Sequence, residues 1–250
     1  MRSAAALLAV LWLAACGSDS EQVLYRHDFA DGSGGWRTVH TLVSPDQLPV
    51  DSSNCFISWL GLYACTLDVP VEGGRSVLQS PWWLDPNHAK PGGYGHLNLL
   101  TWVYLNGMPG SSTEGMPSID LRDVTLRVSM RAQAFNPAGG RLVFWFQTKM
   151  PDGRFANFAY TSSPLDAVLP PDGSELSQFN IKLVADPAAW TCLGAAVDRS
   201  DFYGCMDVVN AMSAVKDDFG FIIIPVSDSP DPAGQPMGRI EIQSIELVRS

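Results

Sequence analysis

The chain is poor in positive charge: 16 lysines and arginines stand against 26 aspartates and glutamates, a formal net charge of −10 over 250 residues. A surface of that sign repels phosphate backbones and anionic headgroups, so nucleic acid is not an expected partner, and a membrane is not reached through a basic patch. The chain also has little to offer a metal. Its histidines, His27, His40, His88 and His96, are scattered without ligand spacing. No nucleophile elbow, phosphate loop or zinc-protease helix is present, which argues against the common hydrolases. The apolar run at residues 4–15 is too short for the ~20 residues of a membrane-crossing helix.

What that run does suit is export. It follows a single positive charge, Arg2, and ends in small residues, as a secretory signal does. Leu13-Ala14-Ala15-Cys16 resembles the bacterial lipobox. The resemblance implies that residues 1–15 are a lipoprotein signal peptide, that Cys16 is acylated as the new N-terminus, and that residues 16–22 are a short polar tether. A plain signal peptide cut after Ala15 is the alternative. Gly17, where an Asp is absent, is similar to the outer-membrane sorting pattern of Gram-negative lipoproteins. The expected location is therefore the bacterial cell envelope, with the lipid in the outer membrane. Without the first fifteen residues 235 remain, with 15 basic against 26 acidic side chains and a net charge near −11. No linker-like break divides residues 23–250, so one domain is expected there.

Four cysteines remain, Cys55, Cys65, Cys192 and Cys205. An even number in an exported chain reads as two disulfides. Of the three connectivities, the local one, Cys55 with Cys65 and Cys192 with Cys205, needs the least loop closure. Metal binding by these four is the weaker reading, because neither pair has the close spacing of a zinc knuckle.

Glycine and proline turns separate many short extended stretches. Residues 23–29 read as the first strand, and Trp36 opens the next after a glycine turn. Residues 41–90 form a proline-rich connection with short strands in it, and residues 96–105 a mostly apolar run. In residues 123–133, Val124, Leu126, Val128 and Met130 alternate with polar neighbours, the period of a strand with one buried face. Residues 141–150 alternate too, but their second face is partly apolar. A turn at Pro151-Asp152-Gly153 joins them to residues 154–161 as a hairpin. Residues 179–185, 219–226 and 238–249 read as further strands, and residues 207–215 as a short helix with Val208, Ala211, Met212 and Val215 on one face. The expected fold is all-β: a two-sheet antiparallel sandwich with one short helix and long disulfide-stapled loops.

Three segments carry a family resemblance. Asp28-Phe29-Ala30-Asp31-Gly32 with Gly35-Trp36, Pro91-Gly92-Gly93-Tyr94, and the closing stretch at residues 238–247 resemble the galactose-binding-like jelly rolls. These include many carbohydrate-binding modules and, more distantly, the laminin type IV domain. The resemblance implies a jelly roll whose first and last strands pair, with Trp36 in the core. One departure is Gln243, where the family's closing strand often carries an acidic residue, so a shared calcium site is not carried over.

Aromatic rings that stack on sugar C–H faces, and nearby groups that bind hydroxyls, are the candidate ligand site. Trp82 and Trp83 lie in a proline-flanked segment, and Tyr94 and His96 follow a glycine turn. Trp145 would share a sheet face with Arg127 and Arg131 if their two strands are neighbours. For each ring, packing in the core is the competing role. Trp190 and Tyr203 flank the second cysteine pair and are expected to pack that loop. Asp28 and Asp31 are hard oxygen ligands that could hold calcium, and no other cofactor is expected. Glu241-Ile242-Gln243-Ser244-Ile245-Glu246 resembles the acidic motif of concanavalin-like glycosidases, and its apolar pattern predicts a bulge after Ile242. The middle residue is Gln rather than Asp and the stretch falls on an outer strand near the first, so a solvated strand face is the expected role. The functional expectation is a lipid-anchored, non-catalytic domain that binds a polysaccharide or glycan. A glycosidase or lyase, and a structural or adhesion protein, are the alternatives.

Overall fold

The computed structural model describes residues 21–42, 55–57, 63–80, 83–85, 96–104, 118–216, 218–226 and 236–249. Residues 1–20, with Arg2, the lipobox and Cys16, lie outside them, as do Trp82 and Tyr94. The strands run β1 (Gln22–His27), β2 (Trp36–Leu42), β3 (Cys55–Ile57), β4 (Tyr63–Asp68), β5 (Val71–Glu72), β6 (Arg75–Gln79), β7 (Trp83–Asp85) and β8 (His96–Tyr104). They continue with β9 (Val124–Asn136), β10 (Arg141–Lys149), β11 (Phe155–Tyr160), β12 (Ser177–Leu183), β13 (Trp190–Cys192), β14 (Tyr203–Gly204), β15 (Asp218–Val226) and β16 (Met237–Arg249). A single α-helix among the described residues, α1 (Val208–Met212), starts where the Asp207 carboxylate accepts from Asn210 N at 2.9 Å.

These strands form two sheets. One has six strands in the order β12-β9-β16-β6-β5, with β1 also on β16. The other has ten, β13-β11-β10-β15-β8-β2-β4-β3, with β14 on β11 and β7 on β8. Every pairing is antiparallel except that of β14 with β11. The architecture is the expected all-β sandwich. The first strand does lie against the last, with Gln22 opposite Arg249 and His27 opposite Ile245.

The core between the sheets follows from period-two patterning. Leu126, Val128 and Met130 of β9 and Ile240, Ile242, Ile245 and Leu247 of β16 face Leu142, Phe144 and Phe146 of β10 and Phe219, Phe221 and Ile223 of β15. Trp36 is fully buried among them, stacked on Phe221, with Nε1 donating to Tyr25 Oη at 2.7 Å. Tyr25 in turn meets Phe219 edge to face across the sandwich. The turn between β1 and β2 needs glycine: Gly34 has a φ of +57°, and a Cβ there would fall 2.1 Å from the His27 ring.

Three expectations are corrected. The strand carrying Arg127 and Arg131 and the strand carrying Trp145 are not neighbours, because β9 pairs with β12 and β16 while β10 pairs with β11 and β15. The closing strand is not an outer one: β9 flanks it on one side, and β1 and β6 on the other. Trp190 belongs to the main core rather than to a loop. Its ring meets Phe146 and Tyr160 edge-on, and its Nε1 donates to Val184 O at 2.8 Å.

Candidate functional site

The outward face of the six-stranded sheet gathers the arginines. Arg131 on β9 and Arg239 and Glu241 on β16 stand across one another because Glu241 is the register partner of Arg131. Arg131 Nε donates to Glu241 Oε2 at 2.8 Å and Arg239 Nε to Glu241 Oε1 at 3.0 Å, while Arg75 Nη1 lies 3.6 Å from Oε2. Arg239 also donates to Glu72 at 2.7 Å. Glu241 is only 5% exposed, so the solvated role expected for it is wrong. Burial pulls its carboxyl upward, but hydrogen bonds from Arg239 and Arg131 outweigh that and hold it below the usual glutamate value.

The predicted bulge is present after Ile242: Ile242 opposes Met130 and Ser244 opposes Ser129, leaving Gln243 unpaired. Gln243 Oε1 accepts from Ser129 Oγ at 3.4 Å, and Ser129 Oγ accepts from Gln178 Nε2 at 2.8 Å. Glu246 pairs with Arg26 at 3.4 Å, and Arg127 pairs with Glu21. A general acid must carry a proton at working pH. Glu241, ionised among three guanidinium groups, is the wrong group for that role, and Arg127 and Arg131 are engaged by carboxylates.

The outward face of the ten-stranded sheet differs in character. Val143, Trp145, Ile222 and Ile224 are buried there, apart from the main core cluster. One register row reads Ala159, Trp145, Gly220, Trp102, Arg37 and Asp68, and the next holds Asn157, Gln147, Asp218 and Tyr104. Gln147 Nε2 donates to Asp218 Oδ2 at 3.1 Å. Trp145 Nε1 and Asn157 Nδ2 are buried and make no hydrogen bond among the described residues. Trp83 and His96 stand on β7 and β8 of this same sheet.

The third feature is an open cleft at the edge of that sheet. β13 and β14 both pair with β11, through Cys192 opposite Phe158 and Tyr203 opposite Phe155. The Cys192–Cys205 disulfide closes the loop between them, as the local connectivity requires. Residues 194–197, 200 and 203–205 line a cleft of about 450 Å³. Arg154 braces it, donating to Asp152 at 2.8 Å and to Ser200 O at 3.3 Å. At its side Val197 and Phe202 are exposed, with the Arg199 guanidinium 5.9 Å from the Phe202 ring centre. Tyr203, expected only to pack the loop, is half-buried and lines the cleft. Cys55 and Cys65 are register partners in the β3–β4 pairing.

Asp28 spends one oxygen on a turn, accepting from Ala30 N at 3.1 Å, and Asp31 is exposed. Among the described residues no group of three or more His, Cys, Asp or Glu side chains is placed to hold a metal. Asn157, Gln147, Asp218, Gly220 and the cleft residues other than Tyr203 and Cys205 were not singled out by the sequence. Gly220, alone in an apolar strand, was the available signal, since such a glycine marks close approach to the backbone.

No protein-family model matches the chain, and no curated protein matches it. Among solved structures, the CBM2 module of the evolved Dit protein of Lactobacillus casei BL23 phage J-1 aligns over 91% of this chain and 95% of its own, at 15% identity and a TM-score of 0.31. A superposition that loose carries no argument about fold or ligand.

Proposed function

We propose that the chain is an exported, lipid-anchored protein of the bacterial cell envelope whose sandwich binds carbohydrate without cleaving it. The observation that carries this reading is the stapled cleft. Its disulfide and its two strand pairings to β11 hold it open at a sheet edge before any ligand arrives, and a preformed site loses less entropy on binding. Its volume of about 450 Å³ falls within the range of small-ligand sites. Tyr203 supplies a ring for a sugar C–H face, and its walls of glycine and alanine let hydroxyls reach backbone groups. The pairing of the closing-strand carboxylates with arginines supports binding over hydrolysis. Cys16 would carry the lipid, six positions ahead of the first residue of β1. Calcium at Asp28 and Asp31 would be structural at most, since two carboxylates are too few ligands.

The test is a fluorescence titration of the full chain, in detergent, against neutral and acidic polysaccharides with calcium or chelator, with reducing ends assayed in parallel. A saturable response that Tyr203→Ala weakens about ten-fold, without release of reducing ends, is expected. A flat response across the panel overturns the reading, and product release would replace it with an enzyme. Incorporation of an alkyne fatty acid, lost in Cys16→Ser, is the expected result for the anchor.

A further inference from the structure

We infer that Trp145 and Asn157 form a second, buried subsite that recognises the hydroxyls of a neutral sugar residue, on the face of the ten-stranded sheet turned away from the core. The inference rests on the reading of the domain as a glycan binder and assigns a ligand class to a place outside the cleft. Trp145 is 5% exposed and Asn157 2%, yet the indole Nε1 and the amide Nδ2 have no acceptor among the described residues. A buried donor without an acceptor is costly, and native sandwiches seldom tolerate two as neighbours. These two are diagonal neighbours: Trp145 opposes Ala159, and Asn157 opposes Gln147, two residues along β10. Whatever completes them must bring acceptor oxygens to both.

The surroundings narrow the class. Gly220, the partner of Trp145 on β15, places no side chain in the row, and the register leads on to Trp102 on β8. This side-chain-free position beside the indole is where the C–H face of a pyranose would lie. Asp218, hydrogen-bonded to Gln147 in the next row, sets a carboxylate close by. In a protein of net charge −10 this disfavours a uronate or a sulfated sugar. The loop that builds the cleft is tied to the same place, since Leu193 N donates to Asn157 O at 2.9 Å. Leu193 directly precedes the cleft-lining residues, so the cleft loop begins beside the subsite.

The experiment uses the full chain in detergent, labelled with 5-fluorotryptophan and followed by fluorine NMR. The resonance missing from Trp145→Phe identifies residue 145. The probes are laminarin, mannan and galactan as neutral glycans and polygalacturonate as the acidic one. The expected result is a saturable shift of the residue 145 resonance with one neutral glycan and none with polygalacturonate. Asn157→Leu, which removes the unpaired amide while filling the same space, is expected to weaken that glycan about ten-fold or more without lowering the melting temperature. Saturable shifts of other tryptophans with residue 145 unmoved would overturn the subsite and leave the cleft reading standing. An equal response to polygalacturonate would overturn the neutral class. No shift with any probe would leave the two donors as water sites and overturn both readings.

Discussion

Arg131 and Glu241, 110 residues apart in sequence, lie side by side across the β9–β16 pair, with Arg131 Nε donating to Glu241 Oε2 at 2.8 Å. The carboxylate is nearly buried while Arg131, Arg239 and Arg75 keep about a quarter of their side chains in water. Removing that anion leaves Arg131 and Arg75 without the carboxylate they share, while Arg239 keeps Glu72. Glu241→Gln is therefore expected to cost about 2 kcal/mol, less than a fully buried pair because the arginines can turn to solvent. For a chain of this size that is a fall in melting temperature of about 4–8 °C. A melting temperature within a degree of the parent would show the cluster to be ornamental.

The same cluster sets a pH dependence. Burial raises the Glu241 carboxyl, hydrogen bonds from Arg239 and Arg131 lower it, and the net direction is downward from the ordinary 4.5. A depressed carboxylate contributes stability that is fully present above its unfolded value and is lost as pH falls through its folded value. Melting temperatures recorded from pH 7 down to pH 3 should hold steady to about pH 5 and then drop for the parent. Glu241→Gln should start lower and lose less over that acid window. Parallel curves for the two proteins would mean that Glu241 titrates alike folded and unfolded.

How far the sequence reveals this molecule depends on what kind of information a residue pattern holds. Alternation in β9 and β16 tells which side chains face inward, and the one-residue slip between Ile242 and Ile245 announces the bulge, both local properties. Alternation does not say which strand is the neighbour. That is why Arg131 was matched with Trp145, in the other sheet, rather than with Glu241. The second apolar face of β10 and its hairpin with β11 were visible, but its pairing with β15 was not, and Asn157 and Asp218 acquire meaning only through register. The cleft had no pattern to read. Glycine and alanine walls line it, and their placement comes from a disulfide and two very short strands.

Tyr25 gives a test of how the first strand is held. Its hydroxyl accepts the only hydrogen that the fully buried Trp36 indole can donate, at 2.7 Å. Tyr25→Phe keeps the ring against Phe219 and strands that donor in the core, so a loss of about 2 kcal/mol is expected. Urea denaturation should show a lower midpoint with an unchanged slope. If the midpoint does not move, the Trp36 donor has found another acceptor.

The Cys192–Cys205 disulfide should matter more to the cleft than to the sandwich. It joins cysteines 13 positions apart, for which chain-entropy arguments give about 3 kcal/mol, and nearly all of that loop lies at or beyond the β11 edge. Its two very short strands are held to β11 by three and two register pairs, against seven between β10 and β15. The paired replacement Cys192→Ser with Cys205→Ser is therefore expected to loosen residues 193–205 before it loosens the core. Hydrogen exchange should rise at least ten-fold in that segment while β9, β10 and β16 stay protected. Because the cleft is proposed to bind as a preformed surface, glycan affinity should fall in step with the lost protection. Full retention of affinity beside a ten-fold rise in exchange would separate the binding site from the stapled loop and place it elsewhere on the sandwich.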